Sequence, residues 1–402
     1  MTTNGQVTVI IGNGVAGAAA AVAMRDSGYA GKIVAVTGEA WPVYFRTRLP
    51  ELISGEVTIE KIVMTPVQKF AERNIEVRLG VKAESVDAKA RTIRLGNGET
   101  IGWDTLLLAT GSNAFMPPIP GRERCRNLFV LREAADAEAI RAAAAGKKRA
   151  VCIGGGVLGL EAAFHLTKLG LAVELVELAP RLMPRQLDPA GGAILQGLLE
   201  KQGFRFHLGA KLDCLGDGHL RLQGGDALDG DVYVVSAGVA PRLDLAKQLG
   251  ADCGRGIRVD AACRTNVDGV FAAGDNIEHD GKMWGTWLAA RHWGNRAGQS
   301  MAGKTVSLGL PPESFRLKLT GVDLLSIGEA DLEGTLCANG AAEAHVIAAR
   351  PDDGVYHKIV VAGGNVCGAI LLGACPAGRA IEKAVTESRP WNEVAAEIGV
   401  SR

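Results

Sequence analysis

Val7-Thr8-Val9-Ile10-Ile11-Gly12-Asn13-Gly14-Val15-Ala16-Gly17 is the stretch whose reading decides the fold. Its five mostly β-branched apolar residues predict a strand buried on both faces, as in a parallel sheet. A turn with the spacing G-x-G-x-x-G follows, and Ala18 to Met24 predict a helix. In such a turn Gly12 permits the tight bend, Gly14 leaves room for a pyrophosphate, and Gly17 lets helix and strand pack closely. The helix start then offers free N–H groups and a positive dipole end to the phosphates. Glu39, past a second strand at Lys32 to Val36, stands near where a ribose-binding acid belongs. A dinucleotide is the expected ligand.

The same pattern returns in Val151-Cys152-Ile153-Gly154-Gly155-Gly156-Val157-Leu158-Gly159-Leu160-Glu161, each key glycine displaced by 142 positions. The next strand, Ala172 to Val176, ends in Glu177, the counterpart of Glu39. Thr105 to Gly111, ending Ala109-Thr110-Gly111, recurs as Val232 to Gly238. Two doubly wound α/β domains explain the repeat. Pro117, Pro118 and Pro120 mark a linker into the second domain. Gly256 to Asp260 and Gly269 to Asp275, the latter ending Gly274-Asp275, then read as strands returning to the first domain. The second domain is therefore expected to be inserted in the first. The expected division is 1–115 and 243–312 for the first, 116–242 for the second, and 313–402 for a small C-terminal α+β domain.

Between these landmarks Thr58 to Asn74 predict one helix, and a Gly96-Asn97-Gly98 turn joins short strands. Thr286 to Gly303 predict a helix rich in polar and basic residues. After Glu313 short strands are expected at Phe315–Lys318, His345–Ala348, His357–Val361 and Cys367–Leu372, then a helix near Ala380–Glu387.

Composition narrows the class. Formal net charge is zero, so nothing global argues for nucleic acid or an anionic membrane. The uncharged stretch from Met1 to Arg25 is not read as a membrane segment, because it lacks a basic start and its glycines interrupt the apolar run. The eight cysteines are scattered without a C-x-x-C, which predicts a reduced, cytoplasmic protein. The seven histidines form no ligand cluster, so no metal site is expected.

Two dinucleotide sites in one chain suggest two cofactors exchanging electrons, a flavin in the interrupted domain and a nicotinamide in the inserted one. Hydride transfer needs nicotinamide C4 within about 3–3.5 Å of flavin N5. The start of the Thr286 helix is a candidate to stabilise anionic reduced flavin. A carboxylate at Glu177 accepts from both ribose hydroxyls of NADH and repels the 2′-phosphate of NADPH, which favours NADH. Arg181 and Arg185 lie close behind and could offset that repulsion.

Several residues admit two readings. The arginines of Tyr44-Phe45-Arg46-Thr47-Arg48 either steady a pyrophosphate or flavin edge or belong to a solvated loop. Glu161 either complements the helix dipole from the first turn or lies beside the nicotinamide. Trp287 is a candidate for flavin contact or for core packing, whereas His292 and Trp293 read as packing or surface groups rather than catalysts. Arg291, His292, Arg296, Arg316 and Lys318 form either a docking face for an acidic partner or a solvated surface.

The chain resembles the flavoprotein pyridine-nucleotide oxidoreductases, and within them the NADH:rubredoxin reductases. The resemblance is strong from Val7 to Gly303 and looser beyond. It rests on both glycine fingerprints, Ala109-Thr110-Gly111 and Ala273-Gly274-Asp275, together with the more specific Tyr44-Phe45-Arg46-Thr47-Arg48-Leu49-Pro50-Glu51 and Arg185-Gln186-Leu187-Asp188. It implies FAD at Gly12, Gly14, Gly17, Glu39, Arg46, Arg48, Thr110 and Asp275, with a backbone adenine contact near Ala83. It implies NADH at Gly156, Leu158, Gly159, Glu161 and Glu177. Val15, Ala16, Ala109, Gly111, Gly274, Val157 and Gly238 flank these positions as further candidates. The pair Thr286-Trp287 is similar to the Thr-Trp that contacts flavin in oxygenase-coupled ferredoxin reductases. Those relatives carry a lysine supporting flavin N5 where this chain has Glu51, which leaves Arg48 as the candidate to stabilise reduced flavin. Glu161 and Arg48 are thus the candidate catalytic residues.

No cysteine lies between Met1 and Arg124, so a thiol–disulfide step at the flavin is disfavoured. The expected reaction is hydride transfer from NADH to FAD, then one-electron transfer to rubredoxin or a similar small acidic iron protein, by a monomer or homodimer. Rival acceptors are ferredoxin, a nitrite or nitric oxide reductase partner, and oxygen. A slow-turnover flavoprotein that senses NADH and regulates a partner is the alternative of another class.

Overall fold

The computed structural model describes residues 5–216, 219–306, 309, 314–319 and 321–400. The boundary expected at Glu313 and the side chain of Lys318 lie outside the described residues. Two compact units emerge. The first comprises Met1–Arg48, Thr58–Asn113 and Val239–Pro311, and the second Leu49–Val57, Ala114–Gly238 and Pro312–Arg402.

The first unit is built on a five-stranded parallel sheet in the order Val270–Ala272, Thr105–Leu108, Val7–Ile11, Lys32–Val36, Ile75–Arg78. Val7–Ile11 is central, and Val9 and Ile10 are fully buried, as its β-branched run requires. Thr8, its polar member, is buried with its hydroxyl donating to the Tyr29 hydroxyl at 2.8 Å. The edge strand Val270–Ala272 comes from the returning segment, so the first unit is an interrupted chain.

The second unit repeats the plan. Its parallel sheet runs Arg205–Leu208, Ala172–Glu177, Arg149–Ile153, Val232–Val235, Leu128–Val130. The repeat extends to single hydrogen bonds. The N–H of Gly12 donates to Val36 O at 2.8 Å, and that of Gly154 to Val176 O at the same distance.

Residues past 313 form a five-stranded antiparallel sheet in the order Ser314–Leu319, Val322–Gly328, Asn365–Leu372, Val355–Ala362, Glu343–Arg350. Helices Gly378–Glu387 and Trp391–Glu397 follow. This sheet clusters with the inserted unit, as does the Leu49–Ser54 helix. Strand Val322–Gly328 and helix Trp391–Glu397 were not expected.

One expected helix is two. Thr58–Asn74 contains Ile59–Ile62 and Val67–Ala71, separated where Val63 bridges to Tyr44 and Pro66 caps the second piece. A proline there lacks the N–H that a continuous helix needs.

Candidate functional site

The two fingerprint turns have the same geometry, and it explains each glycine separately. Gly12 has φ of +109°, and a Cβ on it would lie 2.2 Å from Ala109 O. Gly154 has φ of +114°, with its Cβ 2.2 Å from Ser236 O. A Cβ on Gly17 would lie 1.9 Å from Gly12 O, and one on Gly159 would lie 2.0 Å from Gly154 O. These four positions exclude any side chain. Gly14 and Gly156 differ: both are extended, and a Cβ on either would meet nothing within 4 Å. They cap the helices Val15–Asp26 and Val157–Lys168 without a side-chain hydrogen bond, leaving the first N–H groups directed outward. Each helix start is therefore an open anion cradle, backed by tight packing.

In the first unit the acid and the arginine loop come together. Tyr44 donates its hydroxyl to Glu39 Oε2 at 2.5 Å, and Arg46 forms an ion pair with Glu39 Oε1. The Arg46 guanidinium also lies over the Tyr44 ring at 5.0 Å. Tyr44 and Arg46 therefore position the carboxylate, and the loop is partly buried rather than fully solvated. The Ala83 segment runs beside it, with the Gly80 N–H donating to Glu39 O at 2.8 Å and Val81 N–H to Thr37 O at 2.8 Å.

Thr110 and Asp275 are joined by residues that the sequence reading passed over. Buried Asn276 donates from Nδ2 to Leu108 O at 3.0 Å and Thr110 Oγ1 at 3.1 Å, while Ser112 donates to Asp275 Oδ2 at 3.4 Å. Its place after Gly274-Asp275 was the only available signal. Gly111 and Gly238 both take positive φ at the ends of corresponding segments.

The Trp287–Met301 helix starts at Thr286, whose hydroxyl accepts the Ala289 N–H at 3.2 Å. Gly294 packs on Ala16 and Gly298 on Ala20, where any Cβ would lie within 2.3 Å of a backbone oxygen. The two helices hence run side by side in the same direction. Trp287 lies about two turns ahead of Gly294, roughly 10 Å beyond that contact. It is thereby placed on the side to which the Val15–Asp26 helix presents its N–H groups. There Trp287 stacks on Phe45 at 5.9 Å, below the Arg291 guanidinium at 5.7 Å. The Gly294-x-x-x-Gly298 spacing was a legible sign of close helix packing.

Arg296 does not belong to an exposed basic face. Arg296 is 5% exposed, lies over Trp293 at 5.3 Å, and donates to Ala261 O at 3.3 Å and Gly309 O at 3.0 Å. Arg316 pairs with Glu382, both in the second unit. Trp293 is fully buried and His292 meets it edge-on, so of the packing and surface readings both residues take the packing one.

In the second unit Glu177 is held by backbone. Its Oε2 accepts the Gly155 N–H at 2.6 Å and its Oε1 the Ala179 N–H at 2.7 Å. Glu161 is 7% exposed and lies one residue past the first turn of its helix, so it is no surface dipole complement. One turn on, His165 is buried with Nδ1 2.8 Å from Ser54 Oγ. Burial, then the charge of Lys168, pulls its imidazole below the usual range. Arg48 is half-buried in the turn Arg46–Arg48, and the units divide immediately after it. The thiols of Cys152 and Cys263 are pushed up to about 12 by burial, as suits packing groups.

Comparison with known proteins agrees with this architecture. Residues 7–294 match the family described as Pyridine nucleotide-disulphide oxidoreductase, and residues 314–389 match the Rubredoxin NAD+ reductase C-terminal domain. The large subunit of a nitrite reductase [NAD(P)H] from Klebsiella oxytoca is 34% identical over 377 residues, 91% of this chain but only 39% of that protein. The chain thus spans less than half the length of the nitrite reductases it matches. The ferredoxin–NAD(+) reductase subunit of a benzene 1,2-dioxygenase system from Pseudomonas putida is 32% identical, covering 81% of this chain and 83% of its own length. The NADH:rubredoxin oxidoreductase of Clostridium acetobutylicum shares the fold, with a TM-score of 0.79 at 24% identity over 98% of this chain and all of its own. The chain belongs to the pyridine nucleotide-disulphide oxidoreductases, the family of FAD- and nicotinamide-dependent oxidoreductases whose paired fingerprints it carries.

Proposed function

We propose that this protein is an NADH-dependent flavoprotein reductase that passes electrons singly to rubredoxin or a similar small iron protein. The observation that carries the reading is the pair of open, uncapped helix starts at Gly14 and Gly156, each backed by an acid. The residues present fit both groups. In the first turn the Asn13 side chain is buried and its amide has no partner among the described residues. Around it Gly14, Val15, Ala16, Glu39, Thr110, Asp275 and Trp287 would hold FAD, with Arg48 near its ring. In the second, Gly156, Val157, Leu158, Gly159 and Glu177 would hold NADH, with Glu161 beside the nicotinamide. Bound there, the two supply hydride acceptance from NADH and stepwise electron release from flavin.

The protein's own work is placement. Each helix start contributes about half a positive charge to a pyrophosphate. Glu177, fixed by two N–H groups, accepts from ribose hydroxyls without rearranging and repels a 2′-phosphate. Glu39, aimed by Tyr44 and Arg46, does the equivalent for the flavin nucleotide. No cysteine precedes Cys125, so electrons leave without a thiol step.

The likeness of residues 314–389 to rubredoxin reductase C-terminal domains supports a rubredoxin-type acceptor. The nitrite reductase relatives favour a second reading, an electron-input component for nitrite reduction. Stopped-flow mixing decides. The FAD-loaded protein, reduced anaerobically by NADH, is mixed with rubredoxin, ferredoxin, a disulfide reagent or oxygen. Reoxidation by rubredoxin faster than by the others is expected; reoxidation no faster than by oxygen refutes the acceptor, and no bleaching by NADH refutes the whole reading.

A further inference from the structure

The segment from Glu177 to Asp188 is fastened at both ends and in the middle. At its start the Glu177 carboxylate is held by the Gly155 and Ala179 N–H groups. In the middle the Met183 N–H donates to Gly155 O at 2.9 Å. Arg181, its side chain 12% exposed, folds the segment on itself through bonds to Leu187 O at 3.0 Å and Pro184 O at 3.3 Å. At its end Asp188 caps the Pro189–Lys201 helix, its Oδ1 accepting the Gly191 N–H at 2.9 Å.

The C-terminal sheet reaches this last anchor. Asp188 Oδ2 accepts the Tyr356 hydroxyl at 2.7 Å and Lys358 Nζ at 3.1 Å, and Lys358 also donates to Asp331 O at 2.9 Å. The Lys358 and Asp188 side chains are 8% and 9% exposed. Glu333, from the same region, pairs with Arg181. Withdrawing Lys358 would leave a buried carboxylate without its cation, and such a group moves toward water or takes up a proton. Either response disturbs the cap and the segment it terminates.

We propose that Lys358 is a positioning residue for the nicotinamide nucleotide: through Asp188 it fixes the 177–188 segment that carries Glu177. The inference rests on the reading of Gly156 and Glu177 as the nucleotide site. Coupling is reciprocal, so nucleotide bound at that site also steadies the Val355–Ala362 strand.

The test uses the full chain saturated with FAD and titrated calorimetrically with ADP-ribose, which has the adenosine and pyrophosphate but no nicotinamide. Lys358→Met is expected to raise the Kd about fivefold, within the range of residues that act through a packed neighbour. The KM for NADH rises alike, with kcat at saturation unchanged. In an Asp188→Asn background the same change adds nothing, since its route is already cut. Exposed Lys383→Met serves as control. A folded Lys358→Met protein with wild-type affinity overturns the proposal, as do independent, additive effects at the two positions. Should the variant fail to fold, hydrogen exchange on the wild type decides: ADP-ribose slows exchange in residues 355–362, and unchanged exchange overturns the inference. A wild type that ignores ADP-ribose refutes the nucleotide site itself.

Discussion

Replacing Gly156 by alanine separates what the fold needs from what the ligand needs. Gly156 lies at φ −81°, ψ −179°, an extended conformation open to any residue, and the new methyl would meet nothing within 4 Å. Loss of unfolded-chain freedom stabilises the variant by about 0.4–1 kcal/mol. Alanine is a poorer helix cap than glycine, which acts the other way. Stability should therefore stay within about 1 kcal/mol of wild type. The methyl nevertheless occupies the space by which a pyrophosphate would approach the helix start. Overpacking of that kind costs about 1–3 kcal/mol, or roughly 5–150-fold in affinity. Gly159→Ala is the contrast, because its methyl would lie 2.0 Å from Gly154 O. There the backbone itself must move, at about 1–3 kcal/mol or more of fold stability. Urea melts, flavin absorbance and calorimetric titration with NADH read the three quantities. A folded, flavin-loaded Gly156→Ala protein that binds NADH as tightly as wild type would refute the placement of the phosphates.

Glu177→Gln should lower the NADH-over-NADPH ratio of kcat/KM about tenfold, by removing a full charge from the ribose site and one of its backbone bonds; an unchanged ratio excludes Glu177 from that site. Thr286→Ala should destabilise by about 1 kcal/mol in urea through loss of the cap to Ala289, and a loss below the error of the melt would show that the bond contributes nothing. Neutral His165 predicts a pH effect. Its folded pKa lies below the unfolded value of 6.5, so the unfolded chain binds more protons, and the stability gained by burying the neutral ring is full above about pH 6.5 and lost as pH falls below it. Between pH 7.5 and 5.5 the wild type should thus lose more thermal stability than His165→Asn, and equal losses would exclude the histidine as the cause.

The legible parts of this chain were mostly those whose physics is local. Gly17 and Gly159 are each crowded by a carbonyl five residues back, so the spacing that located them is also their cause. The same spacing located Gly12 and Gly154, although the oxygens that crowd those two, Ala109 O and Ser236 O, are distant in the chain. The paired Gly294 and Gly298 carried a signal of the same kind that went unread, and their partner helix carried none. Arg296 was misread because charge suggests solvent, whereas its guanidinium is buried against Trp293 and two carbonyl oxygens. The broken helix after Thr58 was signalled by Pro66 and overlooked.

What the sequence determined by itself is two doubly wound sheets, one interrupting the other, because buried parallel strands and tight nucleotide turns demand particular residue types at short range. Tertiary structure alone decided which distant charges meet: Arg181 with Glu333, and Asp188 with Lys358. The Asp188–Lys358 pair forms only when packing has brought its segments together and excluded enough water to make each lone charge costly. Residue order does not encode that exclusion.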